Sequence, residues 1–149
     1  MISIILFDVD GVLIRPTEYY SRILSRKGFI EAPTQIDAFY KTDMPCTVGK
    51  EDPLIRIREY LDNMLWEKSA QEYFDEQFAF EKQFVDNELL DGISRLRSSG
   101  IQCYLATDQN HYRKKIPTRG FSFRKKVRRM VRICRSRLQK NQQRILAKC

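Results

Sequence analysis

The residues best suited to chemistry are Asp8 and Asp10, which follow a short apolar run near the start of the chain. The run Ile4–Phe7 is continuously apolar, as is typical of a strand buried on both faces of a parallel sheet. Because ligands of open α/β sheets bind at the carboxyl ends of strands, we expect both carboxylates at a binding edge. Desolvation and mutual repulsion would make them costly there, and a cation or a phosphoryl group would relieve that cost.

A second apolar run ends in a residue that can bind phosphate. Residues 101–107 follow Ser-Ser-Gly and end at Thr107, after which the polar Asp108 begins the next segment. This pattern predicts a second strand that ends in a hydroxyl group. Backbone N–H groups at the start of a following helix would add hydrogen-bond donors for an anion.

Residues 8–13, Asp-Val-Asp-Gly-Val-Leu, resemble the first signature of the haloacid dehalogenase (HAD) superfamily. The strand that ends at Thr107 is similar to the second signature of that family, and the resemblance covers about residues 1–116 and two of four signatures. It implies an α/β fold, in which a Rossmann-like core with a partial parallel sheet carries an inserted α-helical cap. It also implies a magnesium-dependent phosphatase that acts on a small phosphorylated metabolite.

The resemblance assigns a role to each matching residue. Asp8 matches the nucleophile that forms an aspartyl-phosphate, and Asp10 matches the general acid and base. Thr107 and Asp108 match the part of the site that binds the substrate phosphate. Mg²⁺ would be held by Asp8, through its carboxylate, and by Asp10, through its backbone carbonyl. Gly11 would permit the tight turn that follows the strand.

The alternative for the first motif is purely structural. Asp and Gly are common in turns, so Asp8 and Asp10 could form a solvated connection between a strand and a loop. The second motif, at the spacing that the family requires, favours the functional interpretation.

The roughly ninety residues between the two motifs exceed what a simple crossover needs, and they predict an inserted helical unit. Thr17 is the expected cap of a helix that runs toward Gly28. Apolar spacing predicts further helices over 36–40, 54–65, 70–80 and 89–96, with a loop at 45–50. We therefore divide the chain into a partial core (1–14 and 84–116), a helical cap insertion (15–83) and a basic tail (117–149).

The charge distribution sets the tail apart. The chain carries a net charge of +8, but residues 1–112 hold 12 Lys/Arg and 19 Asp/Glu, whereas residues 113–149 hold 15 Lys/Arg and no acidic residue. The acidic pair of the fourth HAD signature is therefore absent downstream of Thr107. No lysine there has the strand context of the third signature.

We interpret the tail as the product of a frameshift that truncates the family's sequence. Residues 127–135 permit the codons GTT CGA CGG ATG GTT CGC ATC TGC CGA. Read one nucleotide later, these codons give Phe-Asp-Gly-Trp-Phe-Ala-Ser-Ala, a segment like one that many family members have before the signature lysine. Catalysis by this chain is expected to be impaired.

The alternative function is a basic arm that binds nucleic acid or an acidic membrane surface. No recognisable nucleic-acid-binding fold accompanies the charge. Four widely spaced cysteines indicate free thiols. The N-terminal apolar run has no basic region before it and is interrupted by Asp8, so the sequence does not support a signal peptide or a membrane span there. We expect a cytoplasmic protein.

Overall fold

Three parallel strands form a sheet in the part of the chain that the structure describes. A computed structural model describes residues 3–107, 112 and 130–132 of the chain. The strands are β1 (Ile4–Phe7), β2 (Gln102–Thr107) and β3 (Met130–Arg132), in the spatial order β1, β2, β3. Parallel strands combined with helices between them confirm the predicted α/β class.

Helices occupy most of the chain between β1 and β2. Five of them, α1 to α5, form what we call the helical layer, and a 3₁₀ helix and α6 follow before β2. Among the described residues, no helix is both long and apolar enough to span a membrane. The bounds are α1 Tyr20–Arg26, α2 Ala32–Thr42, α3 Met44–Thr47, α4 Pro53–Asn63, α5 Ala70–Glu81, the 3₁₀ helix Lys82–Phe84 and α6 Asn87–Ser98.

Side-chain caps define where α5 and α6 begin. Ser69 begins α5 in a capping box with Glu72, and the carboxylate of Asp86 accepts a hydrogen bond from Leu89 N at 2.8 Å to begin α6. The prediction that Thr17 caps the first helix is wrong, because α1 begins after Tyr19 and has no side-chain cap. The predicted loop at 45–50 is also partly wrong, because α3 covers its first residues.

The buried apolar side chains form two separate clusters. The sheet-side cluster lies between β1, β2 and α6, and the layer cluster lies within the helical layer. The helical layer therefore has a hydrophobic core of its own, separate from the core beside the sheet. The sheet-side cluster consists of Val9, Leu13, Ile14, Leu90, Ile93, Cys103 and Leu105; the layer cluster includes Leu24, Phe39, Ile57, Leu61, Trp66, Tyr73 and Phe74.

The expectation that β1 is buried on both faces is wrong. Ile4 is 54% exposed and Leu6 is 53% exposed, whereas Phe7 packs against the sheet-side cluster. The described helix that contacts the sheet, α6, lies on one face only, and side chains alternate between faces along a strand. An apolar run therefore does not establish that both faces are covered.

The third strand comes from the segment that composition sets apart. Residues 130–132 lie within the basic tail, and they pair with residues 105–107 of β2. Part of that segment thus belongs to the sheet. This strand was not expected, because residues 117–149 were interpreted as foreign to the fold.

Candidate active site

The pairing of β1 with β2 brings the two sequence motifs to the same edge of the sheet. Phe7 and Leu105 are register partners in this parallel pair. Asp8 follows Phe7 directly, and Thr107 is the last residue of β2. Both therefore lie where the two neighbouring strands end, at the carboxyl edge where ligands of α/β sheets bind.

A tight turn follows β1 and holds the segment between Asp8 and Ile14. The carbonyl of Val9 accepts hydrogen bonds from Leu13 N and Ile14 N, both at 2.9 Å. Gly11 N donates to Ile14 O at 2.9 Å, and Gly11 has a φ of +76°. Since side chains rarely adopt this left-handed conformation, the prediction that Gly11 permits the turn is confirmed.

The two carboxylates lie on either side of a buried anchor. Val9, Leu13 and Ile14 are buried in the sheet-side cluster, whereas Asp8 and Asp10 are exposed. The turn thus fixes the backbone through its apolar residues and leaves the acidic side chains toward solvent. The expected desolvation of the two carboxylates does not occur, so burial does not require a cation or a phosphoryl group beside them.

One oxygen of the first carboxylate has a local hydrogen bond. Asp8 Oδ1 accepts from Val9 N at 2.7 Å, which orients the carboxylate relative to the turn. Asp10 forms an isolated parallel bridge with Ile14, so its backbone is also part of the turn. Both acidic residues therefore lie on an ordered backbone. This order is expected for a reactive pair of carboxylates and also for a purely structural turn.

The donor set is compatible in kind with magnesium. Asp8 and Asp10 offer carboxylate and carbonyl oxygens, which are the ligands that Mg²⁺ prefers, and Mg²⁺ commonly keeps several waters. In the part of the chain that the structure describes, no group of three or more His, Cys, Asp or Glu residues could hold a metal ion. A site formed here would therefore depend on few protein ligands.

The candidate phosphate-binding residues are only partly placed. The backbone of Thr107 ends β2 at the expected position, while Asp108 lies outside the described residues. The structure thus brings together Asp8, Asp10 and the backbone of Thr107.

The two connections to the helical layer run side by side next to this site. Arg15 N donates to Phe84 O at 3.1 Å, and Asp86 N donates to Leu13 O at 2.9 Å. The side chains of Arg15 and Asp86 form an ion pair across these connections, which we call the linker pair. Sequence analysis missed it, although residues of opposite charge at the two ends of the insertion were a weak signal.

Comparison of the chain with family models, curated proteins and solved structures finds no match.

Proposed function

We propose that this protein belongs to the HAD superfamily and hydrolyses phosphate monoesters through an aspartyl-phosphate on Asp8. The observation that carries the proposal is the parallel pairing of Phe7 with Leu105, because it aligns the Asp-Val-Asp-Gly motif with the strand that ends at Thr107. In this proposal β1, α6 and β2 are part of a Rossmann-like core, and the helical layer is the inserted cap.

The proposed reaction has two steps. An Asp8 carboxylate oxygen attacks phosphorus, the phosphorus–oxygen bond to the alcohol breaks, and the Asp10 carboxylic acid donates its proton to the departing oxygen. Asp10 then takes a proton from water, whose oxygen attacks phosphorus. The bond between phosphorus and Asp8 breaks and inorganic phosphate is released. The Asp8 carboxylate and protonated Asp10 are thereby restored.

Several features of the described residues support these roles. Asp8 and Asp10 are exposed, so that a substrate and a water molecule can reach both of them. The bond from Val9 N to Asp8 Oδ1 leaves the other oxygen of that carboxylate for attack. Mg²⁺ bound by the Asp8 carboxylate and the Asp10 carbonyl would neutralise charge on the phosphoryl oxygens.

The substrate that we propose is a small phosphorylated metabolite. The helical layer is joined to the sheet by the linker pair, whose residues follow the Asp8 turn and precede α6. A layer attached there can cover the sheet edge and exclude water from an acyl-phosphate. We propose the cytoplasm as the location, since Cys46 and Cys103 are free and buried.

We propose that activity is impaired. The sequence lacks acidic residues after Asp108 that could complete a magnesium site, and it lacks the strand context of the signature lysine. Fewer oxygen ligands should weaken the binding of Mg²⁺. Turnover is therefore expected to be slow and to require high concentrations of magnesium.

Hydrolysis of p-nitrophenyl phosphate tests the proposal. We expect slow release of p-nitrophenol that depends on Mg²⁺ and is abolished by Asp8→Asn. The matched control is Asp37→Asn, which changes an exposed aspartate in α2 and should leave the rate unchanged. A folded protein without magnesium-dependent turnover would contradict the proposal, as would equal rates for wild type and Asp8→Asn.

The charge distribution favours a second candidate, a basic arm that binds nucleic acid or an acidic membrane. All 15 basic residues after residue 112 occur without an acidic residue among them. Binding through phosphate contacts would be insensitive to sequence and sensitive to salt. RNA binding that weakens with salt and disappears when residues 117–149 are deleted would support this function, and no binding at low salt would contradict it.

A further inference from the structure

One aromatic residue beyond β2 lies against the helical layer. The rings of Tyr112 and Phe74 have centroids 6.3 Å apart and planes that differ by 3°. Phe74 is fully buried in the layer cluster, and Tyr112 packs against that cluster as a partly buried residue. Tyr112, five positions after the last residue of β2, therefore contacts the helical layer.

The neighbourhood of Tyr112 includes the start of another helix. Asp52 begins α4 and accepts a hydrogen bond from Leu54 N at 2.8 Å. Burial and the charge of Asp52 raise the pKa of Tyr112 above its ordinary value. Tyr112 thus lies near both α5, through Phe74, and the beginning of α4.

The short distance along the chain makes this contact relevant to the site. Tyr112 follows Thr107 by five residues, and five extended residues span at most about 17 Å. The contact with Phe74 therefore limits how far the carboxyl end of β2 can move from the helical layer. The linker pair joins the layer to the sheet through a different part of the chain.

We propose that Tyr112 is a positioning residue, which fixes the carboxyl end of β2, and the backbone of Thr107 with it, relative to the helical layer through its stacked contact with Phe74. This role rests on the proposed function, because it concerns the strand end that would bind the substrate phosphate. The flat ring makes the contact, so a phenylalanine at position 112 should position the strand end as well as the tyrosine does.

Amide hydrogen exchange tests the anchoring role without relying on activity. We expect Tyr112→Ala to accelerate exchange at residues 105–107 about five- to tenfold, while exchange in α5 changes little. Tyr112→Phe should behave like wild type. The control is Tyr19→Ala, which removes a tyrosine that is 72% exposed and should change neither region.

Phosphatase kinetics test the positioning role. Tyr112→Ala should lower kcat/KM for p-nitrophenyl phosphate, whereas Tyr112→Phe should keep the wild-type value. If Tyr112→Ala does not fold, Tyr112→Leu provides a variant that keeps apolar volume without a flat ring, and it should show the same exchange and kinetic changes in weaker form.

The outcomes separate the two proposals. If exchange at residues 105–107 is faster in Tyr112→Ala but the wild type shows no turnover, the proposed phosphatase activity is contradicted and the anchoring role of Tyr112 is supported. Unchanged exchange at these residues in a folded Tyr112→Ala variant would overturn the anchor. Turnover by wild type that Tyr112→Ala leaves unaltered would contradict the positioning role alone.

Discussion

Phe7 in β1 and Leu105 in β2 are register partners in a parallel pair, and this pairing aligns Asp8 with the strand end that carries Thr107. The two residues are 98 positions apart in sequence, and the whole helical layer lies between them. The candidate site therefore depends on a long-range contact that the inserted helices must permit. The stability of the helices and linkers therefore affects the geometry of the site.

Asp86 should contribute to stability mainly through its role as a helix cap. Its carboxylate accepts from Leu89 N and also pairs with Arg15, whose side chain is 62% exposed. We expect Asp86→Ala to lower the free energy of unfolding by about 1–2 kcal/mol, because the helix cap is lost. Chemical denaturation measures this change.

The matched variants separate the cap from the ion pair. Asp86→Asn retains a capping oxygen but loses the charge, and Arg15→Ala removes the partner. Each should lower the free energy of unfolding by less than about 1 kcal/mol, since exposed ion pairs contribute little. Equal destabilisation by Arg15→Ala and Asp86→Ala would contradict this division.

The hydroxyl group of Tyr73 should not stabilise the fold. Tyr73 is fully buried in the layer cluster, and its hydroxyl has no hydrogen-bond partner within the described structure. Tyr73→Phe should leave the free energy of unfolding unchanged or raise it by up to about 1 kcal/mol, because an unsatisfied buried polar group is removed. Thermal and chemical unfolding check this result.

Tyr20 provides the matched control for Tyr73. Its hydroxyl donates to Glu76 Oε2 at 2.8 Å, and burial together with Glu76 raises the pKa of Tyr20. Tyr20→Phe should therefore destabilise the protein by about 1 kcal/mol. A loss for Tyr73→Phe that matches the loss for Tyr20→Phe would show that the Tyr73 hydroxyl has a stabilising partner.

Leu65 occupies a position that favours glycine. It has a φ of +59° and is 81% exposed at the end of α4, where Trp66 N donates to Leu61 O at 2.9 Å. Gly28 and Gly100 occupy the corresponding positions after α1 and α6, with the same hydrogen-bond pattern.

We expect Leu65→Gly to raise the free energy of unfolding by about 0.5–1 kcal/mol, since the left-handed backbone strains a residue with a side chain. Gly28→Ala is the reciprocal variant. No heavy atom lies within 4 Å of the position that a Cβ would take at Gly28. The expected loss of about 1 kcal/mol in the free energy of unfolding would therefore come from backbone strain alone. Destabilisation by Leu65→Gly would indicate that the leucine side chain makes a stabilising contact.

Cys46 should make stability sensitive to alkaline pH. Burial, followed by the charge of Asp43, raises the pKa of Cys46 from 9.0 to about 11. The folded state therefore retains the thiol proton more strongly than the unfolded state does. This contribution is fully present below pH 9 and is lost as the pH rises toward 11.

The variant Cys46→Ala isolates this contribution. The difference in free energy of unfolding between wild type and Cys46→Ala should be constant below pH 8 and shift against wild type between pH 9 and 11. Denaturation series at several pH values measure the difference. A difference that does not change over this range would contradict the assignment.

Sequence patterns predicted those features that depend on local residue type and spacing. The run before Asp8 forms β1, residues 89–96 lie in α6, and Gly11 has the positive φ that its turn requires. In each case the periodicity of apolar residues or the need for a backbone without a Cβ is sufficient information.

Features that depend on tertiary packing were not predictable in this way. Ile4 and Leu6 are exposed because burial depends on what covers a sheet face. Arg15 and Asp86 pair although they are 71 positions apart, and Leu65 adopts a conformation that its residue type disfavours. These outcomes depend on contacts between distant segments, which local patterns do not determine.

Detection of a phosphoryl group on Asp8 tests the central claim most directly. The protein is incubated with Mg²⁺ and a radiolabelled small acyl phosphate, quenched in acid and digested for peptide mapping. The account predicts a label on the peptide that contains Asp8, stable in acid and lost in alkali, and no label in Asp8→Asn. A folded wild type that takes up no label, or an equal label in Asp8→Asn, would contradict it.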